Sequence, residues 1–127
     1  MSPVQMSKLE AVMRIVLDFN RAFNRQDVAG MMQLMSENCV FESPQPAPDG
    51  TAYAGKEDVT RFWENFFRES PGIRAEIEEV FGLGERCVLR CKYQWVDQNG
   101  TVRYMRGMDV FRVTGGFIHE QLSYIKG

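Results

Sequence analysis

The first half of the chain carries a helical rhythm. Leu9, Val12, Met13, Val16, Phe19 and Phe23 recur at spacings of three and four, which places them on one face of an amphipathic helix. A second helix is expected to start at or beside Asp27 and to carry Met31, Met32, Leu34 and Met35. Cys39 to Ser43 then reads as a short strand, stopped by Pro44, Pro46 and Pro48, which cannot continue a ladder. From Glu57 to about Glu69 a third helix presents Val59, Phe62, Trp63, Phe66 and Phe67, and Pro71-Gly72 ends it.

Beyond residue 72 the period changes to two. Ile73, Ala75 and Ile77 alternate with Arg74, Glu76 and Glu78, and Leu89, Cys91, Tyr93 and Trp95 with Arg90, Lys92 and Gln94. Asn99-Gly100 is the strongest hairpin signal. A strand over 102–113, a turn at Thr114-Gly115-Gly116 and a last strand over 117–125 complete the pattern. Helices first and antiparallel strands after predict an α+β fold, with helices on one face of a curved sheet. No repeat or linker interrupts residues 1–127, so a single domain is expected.

Composition narrows the function classes. At 127 residues, with 44% hydrophobic and 25% charged, the chain can bury a core without metals or disulfides. A net charge of −2 offers no basic field for nucleic acid or anionic lipid. The apolar stretch from Ala11 to Phe19 is broken by Arg14 and Asp18, so neither a signal peptide nor a membrane span is expected, and a cytoplasmic location follows by default. Cys87 and Cys91 on one strand would stand about 13 Å apart, too far to pair. With one histidine and no close cysteine pair, a structural zinc site lacks ligands; the three thiols read as small buried hydrophobes. No phosphate loop or dinucleotide fingerprint is present, so no cofactor is expected.

One residue breaks its pattern. On the strand 102–113, Met105, Gly107, Asp109, Phe111 and Val113 share a face, and Asp109 is the lone charge among them. A carboxyl forced into apolar surroundings has its pKa raised and is a candidate acid or base; the plainer reading is a structural aspartate satisfied by a neighbouring donor. The opposite face holds Tyr104, Met108 and Val110 among Arg106 and Arg112, which suggests a covered surface, most simply a homodimer interface.

Taken in order, several segments resemble a known family. Phe23-Asn-Arg-Gln-Asp27, Met31 to Met35, Phe41-Glu-Ser-Pro44, Gly55-Lys-Glu-Asp-Val-Thr-Arg-Phe-Trp63 and Met108-Asp-Val-Phe-Arg-Val113 before a glycine turn are similar to SnoaL-like and ketosteroid isomerase-like proteins of the nuclear transport factor 2-like superfamily. The resemblance covers nearly the whole chain. It implies a cone: a curved antiparallel sheet closed by three helices, an internal pocket, and dimerisation through the outer sheet face.

The fold does not fix the reaction, so the resemblance is carried over residue by residue. Ketosteroid isomerases use an Asp base with a Tyr and a protonated Asp as oxyanion hole. Asp109 falls at the protonated Asp, but Ser43 stands at the base and Phe19 at the tyrosine; Trp63 replaces a supporting tyrosine. Steroid isomerisation is therefore not expected. A shifted register could turn Glu42 inward to pair with Asp109, whereas the simpler reading leaves Glu42 in solvent. For the last strand, a two-residue Gly115-Gly116 turn puts Ile118, Glu120 and Leu122 inside; a three-residue turn puts His119, Gln121 and Ser123 inside and Ile118, Leu122 and Tyr124 outside. The resemblance implies the second, with His119 at the rim.

The expected function is binding of a small apolar molecule. Either Asp109 acts on it as acid or base in an isomerase, cyclase or lyase, or the protein is a non-catalytic binding or sensing module. Gln121 and Ser123 would orient a polar group of the ligand, beside Ser43. Phe19, Trp63, Phe67 and Met105 would supply apolar walls.

Overall fold

The computed structural model describes residues 2–126. Three helices, α1 (Pro3–Asn24), α2 (Val28–Gln33) and α3 (Lys56–Glu69), pack against a six-stranded sheet. Its strands are β1 (Met35–Ser43), β2 (Thr51–Ala54), β3 (Arg74–Leu83), β4 (Arg86–Val96), β5 (Val102–Thr114) and β6 (Phe117–Lys126), in the order β2-β1-β6-β5-β4-β3. The sheet is curved and antiparallel except at one junction: β1 runs parallel to β6.

Local signals set the helices. Ser2 and Gln5 form a reciprocal capping box ahead of Pro3, and the Asp27 carboxylate accepts from Gly30 N at 3.0 Å to start α2. The face of α1 expected from its spacing is buried through Val12, Val16, Phe19 and Phe23. At its end, Asn24 acts as a substitute strand partner for the edge of β3: its Oδ1 accepts from Ala75 N at 2.7 Å and its Nδ2 donates to Ala75 O at 3.1 Å.

The parallel junction alters the expected boundaries. Met35 pairs with Ile118, and Ile118 N donates to Leu34 O at 2.8 Å. This pairing ends α2 at Gln33, two residues before the Met35 that its apolar spacing reaches, and starts β1 at Met35 rather than Cys39. The short strand β2, not foreseen, forms by pairing Thr51–Ala54 with residues 40–43.

The β5–β6 hairpin combines the two registers considered for it. Gly115 and Gly116 both have positive φ (60° and 85°), making a two-residue turn that pairs Thr114 with Phe117 and Val113 with Ile118. Ile118 is therefore fully buried, which corrects its expected place on the outer face. His119 is then an extra residue: Arg112 pairs with Glu120, and the register moves by one. That bulge turns Gln121 and Ser123 inward while leaving Tyr124 outside. His119 itself bonds Thr114 O at 3.1 Å and does not reach the interior cavity.

Candidate functional site

A cavity of about 320 Å³ lies between the concave face of the sheet and helices α1 and α3, near the lower end of ligand-pocket sizes. Its walls are mainly aromatic, from Phe19 and Phe23 on α1, Phe62, Trp63 and Phe66 on α3, and Phe41 on β1. Gln45 and Glu69, both exposed, stand where it opens. Of the residues expected to form a site, Phe19, Ser43, Trp63, Met105, Asp109, Gln121 and Ser123 all line this cavity.

Phe67 does not line it. Residues 59, 63 and 67 form one row of α3 that enters the core, and Phe67 sits behind the cavity wall, against Phe23 and Trp63 at centroid distances of 5.2 and 5.9 Å. Phe62 and Phe66, on the adjacent row, face the cavity instead. Glu42 is on the opposite face of β1 from buried Ser43, paired with Leu122, and is no partner for Asp109. The Ser43 hydroxyl accepts from Gln45 N at 3.3 Å, which ties the start of the proline-rich loop to the cavity rim.

Asp109 is 6% exposed and sits on β5 at the sheet side of the cavity. Its Oδ2 accepts from the Tyr93 hydroxyl at 3.2 Å and from Gln121 Nε2 at 3.4 Å. Among the described residues Oδ1 is buried with no hydrogen-bond partner, as are Gln121 Oε1 and Trp63 Nε1. Burial pushes the Asp109 carboxyl above the usual carboxylate range; Ser123, its cross-strand partner, and then Gln121 and Tyr93 pull the other way without cancelling it. Burial, and secondarily the charge of Asp109, raises the Tyr93 phenol well above its ordinary value. Tyr93 therefore remains a donor at neutral pH.

Tyr93 is the site residue that sequence reasoning missed. On β4 it stands opposite Met105, two residues from the pair Cys91–Gly107 and four from Leu89–Asp109. A Cβ at residue 107 would meet Tyr93 Cε2 at 2.9 Å, so the bare glycine leaves the space in which the ring leans toward Asp109. The period-two row Leu89, Cys91, Tyr93 carried the signal, but only the hairpin register shows which carboxyl the phenol meets. Chemically, the cluster can hold a proton on Asp109 or release it, with one oxygen fixed by two donors.

The SnoaL-like domain family matches residues 16–121, from the middle of α1 to the inward-facing Gln121. The chain belongs to this family. Among solved structures, this SnoaL-like protein is similar to a nuclear transport factor 2-like protein of unknown function from Mesorhizobium loti, with 34% identity, 94% of each chain covered and a TM-score of 0.80. It also shares its fold with a candidate SnoaL-like polyketide cyclase from Jannaschia sp. CCS1 (14% identity, 99% of this chain and 90% of that one, TM-score 0.82). A third is AclR, a candidate hydroxylase from Streptomyces galilaeus (17% identity, 93% and 80%, TM-score 0.78). Among functionally curated proteins none matches. Two neighbours described by such different chemistries leave the reaction to be argued from this site.

Proposed function

We propose that the SnoaL-like cavity binds a small, largely apolar molecule and that Asp109 exchanges a proton with it. The observation that carries this reading is the buried carboxyl of Asp109 at the wall of an aromatic cavity, raised by desolvation while Tyr93 and Gln121 fix one of its oxygens. Tuning of this kind brings a carboxyl toward the pH at which it can both hold and transfer a proton. Isomerisation, cyclisation and elimination fit a site with one such group and donors beside it.

One observation favours the second reading, a binding or sensing module. Among the described residues no histidine lines the cavity and its other carboxylate is the exposed Glu69, while Ser43 faces in and Glu42 does not line it. Any proton transfer would then fall to Asp109 alone, because the Tyr93 phenol is raised well above its ordinary value and a glutamine amide does not relay protons.

The two readings separate in one experiment. Small apolar compounds are screened for a change in tryptophan fluorescence, with Trp95→Phe leaving Trp63 as the single reporter, and hits are followed by proton NMR in deuterated water for new products or solvent exchange. Asp109→Asn is expected to slow turnover by about 100-fold or more. Binding without product or exchange supports the module; turnover retained in Asp109→Asn overturns the catalytic role.

We also propose that the protein is a homodimer through the outer sheet face. Met108 and Tyr124, directly paired across β5 and β6, and Tyr104 are 38%, 52% and 61% exposed on that face. An apolar strip of this kind is normally covered.

A further inference from the structure

We infer that the ligand of this cavity carries a basic nitrogen: a small aromatic or alicyclic amine, held as its ammonium against Asp109 with Gln121 beside it. This deepens the reading of the cavity as a ligand site and rests on it.

Three observations point to that chemistry. First, among the described residues the lining contains no lysine, arginine or histidine, while its carboxyls are Asp109 inside and Glu69 at the opening. An anionic ligand would place a second negative charge in a desolvated site with nothing to balance it. Second, the unpartnered groups beside each other are acceptors. Asp109 Oδ1 and Gln121 Oε1 are both buried without a geometric hydrogen bond among the described residues, although the Ser123 hydroxyl across the strand pair pulls the Asp109 carboxyl down, and the two side chains touch through the 3.4 Å Nε2–Oδ2 contact. Tyr93 and the Gln121 amide nitrogen already serve Oδ2. A ligand carbonyl could take a proton from Asp109 but would leave Gln121 Oε1 empty. An ammonium brings several N–H groups and could serve both once the two side chains turn these shielded oxygens toward the cavity.

Third, the space is walled largely by aromatic rings, among them Phe19, Phe41, Trp63 and Tyr93. Ring faces attract a desolvated cation and also accept the hydrocarbon part of the ligand. The ammonium also offsets the cost of an ionised Asp109, because an opposite charge within a few ångströms favours the carboxylate. Asp109 is then paired as the carboxylate, and a proton it holds in the empty cavity is released as the ammonium enters. The exposed Glu69 at the opening favours entry of a cation over an anion.

The test uses three compounds of one shape: 2-phenylethylamine, 2-phenylethanol and phenylacetate. Each is titrated into the purified protein by calorimetry at neutral pH, with melting temperature as a second readout. The amine is expected to bind at least about tenfold tighter than the alcohol, and the alcohol tighter than the carboxylate. In Asp109→Asn the preference for the amine over the alcohol is expected to collapse toward equal affinities. Equal or tighter binding of the alcohol or the carboxylate overturns the nitrogen assignment while leaving the cavity as a ligand site. An undiminished amine preference in Asp109→Asn overturns the role of Asp109. If none of the three binds, the nitrogen assignment fails, and the reading of the cavity as a ligand site is decided separately by the wider screen of apolar compounds.

Discussion

The Tyr93 hydroxyl donates to Asp109 Oδ2 at 3.2 Å, and the absence of a side chain at residue 107 leaves the space the phenol occupies. Two strands, one glycine and a buried carboxyl thus form a single unit. Asp109 would otherwise be served at Oδ2 by the long Gln121 contact alone.

Gly107→Ala is the sharpest probe of that unit. Its Cβ would meet Tyr93 Cε2 at 2.9 Å and the backbone oxygen of Tyr124 at 3.0 Å, and the backbone cannot give way easily. The expected outcome is a loss of about 1–3 kcal/mol in urea denaturation. Loss of ligand binding should accompany it, because the displaced phenol leaves Asp109. A fully stable variant with unchanged binding would show that the ring position is not set by residue 107.

Asp109 also predicts a pH dependence of stability. Its carboxyl is raised in the folded state, so the folded protein holds that proton more tightly than the unfolded chain. Stability from this group is present below the ordinary carboxylate range and is lost as pH rises through the folded value. Asp109→Asn removes the titration. Denaturation of both proteins from pH 4 to 8 should show the variant gaining on the wild type as pH rises; a constant difference would mean that Asp109 is ionised throughout.

The three thiols should be inert in the native state. Cys39, Cys87 and Cys91 are all buried and free, and burial pushes Cys87 up to about 11 and Cys91 to about 12. A disulfide-exchange reagent at pH 8 is expected to label none of them within minutes and all of them in denaturant. Fast native labelling of any one would contradict its burial.

For the proposed dimer, Met108→Glu is the informative change. Light scattering at micromolar concentration should give twice 14.6 kDa for the wild type and the monomer mass for the variant. A monomeric wild type would remove the proposal.

Much of this architecture was legible from periodicity. The α1 face, the aromatic face of α3 and the inward row of β5 follow from spacings of 3.6 and 2 alone. What stayed hidden depended on register. Asn99-Gly100 as a two-residue turn would set Gln98 against Thr101 and Asp109 against Arg90. Instead Asp97 accepts from the backbone of Asn99 and Thr101, each at 2.9 Å, so Val96 pairs with Val102 and Leu89 with Asp109. That long loop hides Tyr93 as a partner of Asp109. The bulge at His119 similarly let Ile118 and Gln121 both face inward, which strict alternation forbids. The strand β2 has too few residues and too little alternation to stand out, and exists through its pairing with β1.

The central claim is that Asp109 is a proton-holding group inside a ligand cavity. Carbon-13 NMR of the labelled Asp109 carboxyl tests it most directly, titrated from pH 3 to 9 and assigned by its loss in Asp109→Asn. The account predicts a midpoint above the ordinary aspartate value of about 3.9 and a displaced midpoint when the cavity is filled. A midpoint at or below that value, unmoved by any ligand that binds, would contradict it.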